Sequence, residues 1–358
     1  MSLTADVLVI GGGIAGLTSA LAAAECGLNV VVVDATRPGA ASVAAAGMLA
    51  PSVEGMPGRV RFIALDARDL YPAFLASLKE RTGIDVPLDR NGIIELATTP
   101  EHRTQLFATA DGSARQLDEH ALARFEPALA GHAGGLFSPL DGSVDNVVLM
   151  CALDRAVERA PRIKRISAWV ESVDFSRAEP TTTTSDGSTF SSSTVLLASG
   201  AWTSIAGLPR PIPVRPLHGQ LLRLDAAPVT HVTYGCGGYL IPRGRSVVIG
   251  ATTEDTGFET RTTHEGRAAL LAIARAAVPG LEKTRVLDHW SGLRPVSPDT
   301  LPILGPDPEC GSLVYACGFS RNGILLAPWA AKATAGILAG ERSADALHLF
   351  TITRFKPQ

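Results

Sequence analysis

The short β-branched run Val7–Ile10 leads straight into Gly11-Gly12-Gly13-Ile14-Ala15-Gly16, a GxGxxG, and a second apolar run, Asn29–Val33, ends in Asp34. These residue types at this spacing describe phosphate and ribose recognition. Gly11 permits a tight turn after a strand, and Gly13 lets the backbone approach a pyrophosphate. Gly16 allows the following helix to pack closely on the strand, and Ala20 keeps that contact tight one turn later. Ile14 and Ala15 join the cofactor-binding candidates, ahead of a helix whose N-terminus faces the phosphates. Asp34 is placed to accept hydrogen bonds from a ribose, which disfavours the 2′-phosphate of NADP. On these residues alone NAD and FAD both remain open.

No other familiar catalytic set accompanies this motif. His218, His231 and His289 are weak general-base candidates, and no Ser/His/Asp or Cys/His arrangement is suggested. The five cysteines, Cys26, Cys151, Cys236, Cys310 and Cys317, contain no CxxC pair. An odd set so spaced favours neither a disulfide framework nor a zinc site; no metal site is expected, and a reducing, cytoplasmic setting suits the pattern. A formal charge of −3 without a Lys/Arg block argues against a nucleic-acid partner. No Lys or Arg precedes the apolar N-terminal stretch, and glycines interrupt it, so a signal peptide is not expected. GILLAPWAAKATAGILAG carries Pro328 and Lys332 and is too interrupted for a membrane span.

The elements that must position the motif are an α/β set. At 358 residues the chain suits two domains or one elaborated one. Leu17–Glu25 reads as a helix, and after Asp34 the regular βαβ alternation fails in favour of the small-residue loop GAASVAAAGMLAPSVEG. Residues 60–82 look helical, 91–97 strand-like, 117–131 a helix–turn pair, and GGLFSPLDGSVDN a Gly/Pro/Asp-rich return. A helix is expected at 147–160 and a strand within 163–175. Asp186-Gly187 is a hairpin turn, Thr194–Ala198 a buried strand ending at Gly200, and 211–253 a run of strands. A helix over 264–278, a strand SLVYACG and a final helix complete the chain. The expected fold is a Rossmann-like dinucleotide domain (1–75, 145–217 and 290–358). A mostly antiparallel substrate domain (76–144 and 218–289) is threaded through it.

Four stretches together carry a family resemblance: AAAGMLAP (44–51), GYLIPRGRSVVIGAT (238–252), WSGLRPVSPDTLPILG (290–305) and CGFSRNGILLAP (317–328). Along nearly its whole length the chain resembles the D-amino-acid oxidase/sarcosine oxidase group of FAD-dependent oxidoreductases, and most its thiamine-biosynthesis glycine oxidase branch. The resemblance implies FAD rather than NAD. It also places the backbone of Val170 at the adenine and Gly200 and Trp202 along the adenosine half. Ala45, Ala46, Gly47 and Met48 would line the flavin. Asn322, Gly323, Ile324 and Leu325 would aim a helix N-terminus at its pyrimidine edge, stabilising the anionic reduced form. Sarcosine oxidases that hold flavin covalently carry a cysteine near the counterpart of Arg294. Leu293, Pro295 and Val296 stand there instead, so noncovalent FAD is expected.

By the same resemblance Arg294, which also borders the cofactor, holds a substrate carboxylate bidentately. It sits in an apolar setting with no acid beside it in sequence. Arg321 and Tyr239 join it as substrate-binding candidates. Phe319-Ser320 stands where this branch commonly has His-Phe or His-Tyr, so Phe319 gives the pocket apolar surface. The implied reaction is oxidation of glycine or an N-substituted glycine with O2. It yields glyoxylate or another oxoacid, an amine or ammonia, and H2O2. Hydride transfer to the flavin requires no protein base. Three alternatives are an N-carboxymethyl-amino-acid oxidase of secondary metabolism, a quinone-linked D-amino-acid dehydrogenase, and a flavin-binding subunit without turnover. The expected partners are a small amine and O2, with no nucleic acid or membrane; a homo-oligomer is compatible with the sequence.

Overall fold

A computed structural model of the chain describes residues 3–56, 58–110, 112–341 and 345–355. Its first sheet is built around five parallel neighbours, in the order Ile163–Ser167, Val30–Asp34, Leu3–Ile10, Thr189–Leu197 and Leu313–Cys317. These strands read as near-continuous apolar runs because both faces are covered; all four valines of Val30–Asp34 are buried. The helices Ile14–Glu25 and Gly323–Leu338 pack on one face with Leu17, Ala20, Leu325 and Ala330 in the core. Ile205, Ile212 and Ile352 close the other. A Cβ on Gly16 would lie 1.9 Å from the Gly11 carbonyl oxygen, so the first helix meets its strand only through glycine there.

The second sheet has eight strands, in the order Val286–Val296, Arg215–Leu224, Ser246–Gly250, Gly238–Arg243, Val232–Gly235, Ile93–Ala97, Gly134–Ser138 and Arg115–Asp118. Every neighbouring pair is antiparallel except Val232–Gly235 with Ile93–Ala97. Val286–Val296 runs across the expected boundary at residue 290. It stays in this sheet throughout, because its pairing with Arg215–Leu224 continues from Val286 to Val296.

Several local expectations differ from the structure. The return at 134–146 holds two strands, Gly134–Ser138 and Gly142–Val144, where glycine and proline density had indicated only turn. The 163–175 segment forms two strands, Ile163–Ser167 and Val170–Asp174, rather than one. The small-residue loop contains a one-turn helix, Ala41–Ala44, and Met48–Leu49 pairs with the Gly142–Val144 strand. Helix Pro100–Ala108 has no counterpart in the sequence reading, and the 211–253 run of strands includes Val232–Gly235. The 60–82 region is two helices, Gly58–Asp69 and Tyr71–Thr82.

Tyr71, wholly buried, explains how the C-terminal helix tolerates Pro328 in its interior. A proline has no N–H to give to the carbonyl four residues earlier, here Ile324. The Tyr71 hydroxyl donates to that carbonyl instead. Burial also pushes the phenol far above its usual pKa, keeping it a donor. Tyr71→Phe should therefore cost about 1–3 kcal/mol, the penalty of an unsatisfied buried acceptor, seen as a lower thermal midpoint. Adding Pro328→Ala, which restores an N–H to Ile324, should recover part of the loss. Equal midpoints for wild type and Tyr71→Phe would contradict this assignment.

Candidate active site

One cavity of about 800 Å³ runs from the tip of the parallel sheet to the face of the second sheet. Gly11, Gly13, Ile14, Ala15, Asp34, Val170, Gly200 and Trp202 line one end. Ala45, Ala46, Gly47, Met48, Asn322, Gly323 and Ile324 line its middle, and Tyr239, Arg294, Phe319 and Arg321 the other end. Thus residues far apart in sequence share one wall. Two candidates stand behind it: Gly16 packs on Gly11, and Leu325 is buried in the core beneath the helix.

At the first end, Asp34 accepts from Gly12 N at 2.9 Å and from Thr36 N and Oγ1 at 3.2 Å, and Arg165 reaches it at 3.4 Å. Gly12, the unassigned position of the motif, is glycine for a spatial reason: its Cβ would fall 2.7 Å from the Asp34 carboxyl carbon. A Cβ on Gly13 would meet nothing nearer than Ser42 Oγ at 3.2 Å, so the backbone opens onto the cavity. Gly13 caps the helix with no side chain, and Ile14 N donates to Ser42 Oγ at 2.9 Å. A helix N-terminus whose cap is a glycine open to the cavity, beside the Asp34 carboxylate, fits a dinucleotide's pyrophosphate and ribose. Arg37 lies 3.4 Å over the Trp169 ring at this end, and Phe258, exposed and outside the cavity lining, stacks on Trp202 at 5.9 Å. Neither Arg37, Trp169 nor Phe258 belongs to a motif, which is why sequence reasoning missed them.

The middle wall is a loop of small residues held by three long side chains. Trp290 Nε1 donates to Ala44 O at 2.9 Å, and Asn146 Nδ2 donates to Ser42 O and Val43 O. Arg243 Nη2 donates to Ala46 O at 2.6 Å and Val144 O at 2.8 Å, while Nη1 donates to Ser143 Oγ and Pro242 O. Burial lowers the Arg243 pKa, yet both terminal nitrogens are satisfied by neutral acceptors. Gly47, at φ +75°, brings its backbone so near Val144 that a Cβ would lie 2.0 Å from the carbonyl oxygen. Leu293 N donates to Gly39 O at 2.9 Å, tying this loop to the strand that carries Arg294.

At the second end, Arg294 lies flat across Gly219, where a Cβ would overlap its guanidinium, and the Tyr239 ring covers Gly250 in the same way. The sequence pattern gives no sign of these two glycines, which act purely by leaving space. Arg294 Nη1 donates to Thr252 O at 3.2 Å and His218 O at 3.4 Å. Among the described residues no acid pairs with Arg294, and its Nε and Nη2 have no hydrogen-bond partner. Burial lowers its pKa, and burial raises that of Tyr239 against the pull of Arg294 and Arg321. Arg321, by contrast, is paired with Glu54 at 3.1 Å and hydrogen-bonded to Tyr234. Glu54, absent from the sequence-based candidates, lines the cavity with them.

Phe319 borders the cavity from the core beneath the C-terminal helix. None of His218, His231 and His289 lines the cavity. His231 is committed to Glu126 at 2.7 Å and stacks on Phe125, and His218 is buried near Glu254. The Gly323–Leu338 helix is preceded by Asn322, which supplies no side-chain cap, and its first residues Gly323 and Ile324 line the cavity wall.

A parallel sheet with a GxGxxG at its tip, joined through one long cavity to a separate, mostly antiparallel sheet, defines a dinucleotide-dependent enzyme. The FAD dependent oxidoreductase family matches residues 6–337, and the chain belongs to that family. It is 34% identical to the glycine oxidase of Geobacillus kaustophilus, covering 98% of this chain and 97% of that protein. It is 33% identical to the bifunctional protein ThiO/ThiG of Synechocystis sp. over 99% of this chain, spanning about half, 55%, of that relative's length. The crystal structure of glycine oxidase from Geobacillus kaustophilus matches with a TM-score of 0.94 at 31% identity, over 99% of this chain and 100% of that one. That of iminodiacetate oxidase from Chelativorans sp. matches with a TM-score of 0.89 at 25% identity, over 96% and 98%. The protein is an FAD-dependent oxidoreductase, and the glycine-lined turn Gly11–Ala15, the Asp34 carboxylate and the two helix N-termini without side-chain caps fit that cofactor.

Cys317 lines the cavity, but burial pushes its thiol up to about 12, so little thiolate exists for bond formation. Acid or heat denaturation should therefore release all the flavin into the supernatant. Yellow colour that stays with the precipitated polypeptide would contradict noncovalent binding.

Proposed function

We propose that the protein is an amine oxidase acting on glycine or an N-substituted glycine. The observation that carries this reading is Arg294: a desolvated guanidinium at the cavity end, without an acidic partner and with two nitrogens uncommitted. A carboxylate accepting from Nε and Nη2 would satisfy both in one bidentate contact. The resemblance to proteins named glycine oxidase supports a small amino acid as the bearer of that carboxylate.

In this proposal Gly11, Gly13, Ile14, Ala15 and Asp34 hold the pyrophosphate and ribose of FAD, with Gly16 letting their helix approach. Val170, Gly200 and Trp202 border the adenosine. Ala45–Met48 and the helix start at Asn322–Leu325 border the flavin. Bound FAD supplies the two-electron oxidant that accepts hydride from the substrate α-carbon. Arg294 and the Tyr239 hydroxyl fix the carboxylate and thereby the position of that carbon, which converts the encounter into an oriented one. The N-terminal end of Gly323–Leu338 places partial positive charge where negative charge develops. No histidine faces the cavity and Glu54 is engaged by Arg321, so in this proposal the amine enters neutral and reacts without a protein base. Phe319 offers apolar surface, and each CH2 buried there contributes about 0.8 kcal/mol, which favours an aliphatic N-substituent over plain glycine.

The substrate loses two electrons and two protons to become an imine, and O2 takes them up as H2O2. Water then hydrolyses the imine to glyoxylate and ammonia or a primary amine. We further propose that the first sheet and its helices form the FAD domain and the second sheet the substrate domain. Five free cysteines suit a reducing, cytoplasmic location.

Arg294→Ala should leave FAD content near that of wild type while kcat/KM for sarcosine falls by about 10²-fold or more. Removing one partner of a desolvated charge pair costs about 2–5 kcal/mol. Peroxide release measured against sarcosine concentration checks this; near-normal kinetics would remove Arg294 from the site.

A further inference from the structure

We propose that Glu54 sets the charge specificity of the substrate cavity: it neutralises Arg321 and presents a negative wall, so the site admits one carboxylate and rejects a substituent carrying a second. This rests on the oxidase reading for the identity of the substrate. It also separates N-alkyl glycines from glycines bearing an acidic substituent, which the two arginines alone do not separate.

The cavity end contains two guanidinium groups, and counting them alone predicts a receptor for a dianion. Their surroundings differ. Arg321 is pinned between the Glu54 carboxylate at 3.1 Å and the Tyr234 side chain. Arg294 touches only carbonyl oxygens. With one guanidinium neutralised, the net charge at this end is that of Arg294, which matches a single carboxylate. A second carboxylate would have to displace Glu54 from Arg321 or lie beside it, and like charges at such range in a desolvated cavity repel strongly.

Glu54 is built into place rather than swung in from solvent. Its side chain is 9% exposed against 47% for Arg321. Glu54 N donates to Ala50 O at 3.1 Å, closing a single helical turn after Pro51. Within that turn Ser52 donates through N and Oγ to Asp141, at 3.0 and 3.2 Å. Asp141 is wholly buried and paired with Arg68 at 2.7 Å. The cost of burying the Glu54 charge raises its pKa, while Arg321 and then Arg294 draw it back down.

Binding of acetate and malonate to the FAD-loaded enzyme tests this without turnover, by perturbation of the flavin absorbance spectrum. In wild type, malonate should bind at least about tenfold more weakly than acetate. Glu54→Gln, similar in shape and uncharged, should shift the malonate-to-acetate affinity ratio at least about tenfold toward malonate. Glu54→Asp, which keeps the charge, should retain the wild-type preference. The kcat/KM ratio of iminodiacetate to sarcosine should follow the same order. Wild type that binds the two anions equally, or a ratio unmoved by Glu54→Gln, would overturn the proposal. Failure of glycine and sarcosine to reduce the flavin would instead overturn the oxidase reading, leaving the anion titrations to judge Glu54 separately.

Discussion

A guanidinium buried at one end of the cavity without an acid in direct contact is the constraint on which that end of the structure depends. Removing a cation from water is costly unless its donors are met. Two arginines face that problem without direct acidic partners and meet it differently. Arg243 gives its terminal nitrogens to Ala46 O, Val144 O, Ser143 Oγ and Pro242 O, and so becomes a structural cross-link. Arg294 gives only Nη1 to the protein. The donors it keeps are those that the proposed substrate carboxylate would take, since its charge and planarity answer both needs.

The same contacts join the two halves of the molecule. The strand that carries Arg294 also donates Leu293 N to Gly39 O, and its Trp290 grips Ala44 O. Arg243 grips Ala46 from a neighbouring strand of that sheet. The wall of the cavity's middle is therefore fixed by the second sheet, so that wall and the strand carrying Arg294 belong to one connected piece of backbone. At the opposite wall, Tyr71 supplies the donor that Pro328 withholds and keeps the C-terminal helix intact close to its first turn. Rigid placement from both sides is what orientation-driven catalysis requires, since small displacements of the reacting carbon are costly.

What the sequence made legible follows from what each residue does. The nucleotide end was readable because GxGxxG and Asp34 must sit at fixed offsets on one strand–helix–strand unit, a local constraint. Arg294, Tyr239 and Arg321 were reached through whole-chain resemblance, because their meeting depends on strand register across the second sheet for the first two and on the approach of the first sheet's last strand–helix connection for Arg321. Glu54 was missed: it lies in a Pro/Gly-rich turn with no spacing to any partner, and only folding brings it 3.1 Å from Arg321. Gly219 and Gly250 were missed because their contribution is the absence of a side chain. The two strands at 134–144 were hidden by glycines that are small for close pairing rather than for turning: a Cβ on Gly142 would lie 2.0 Å from Asp89 O.

The central claim is that a substrate carboxylate on Arg294 delivers an amine-bearing carbon to the oxidant. Anaerobic mixing of the FAD-loaded protein with sarcosine, and separately with sarcosinamide, tests it most directly. The two share size and amine, and only one bears the charge. Sarcosine is expected to bleach the oxidised-flavin band, and sarcosinamide to do so at least about 10²-fold more slowly, the loss of roughly 2.7 kcal/mol of transition-state stabilisation. No bleaching by sarcosine, or equal rates with the two compounds, would contradict the account.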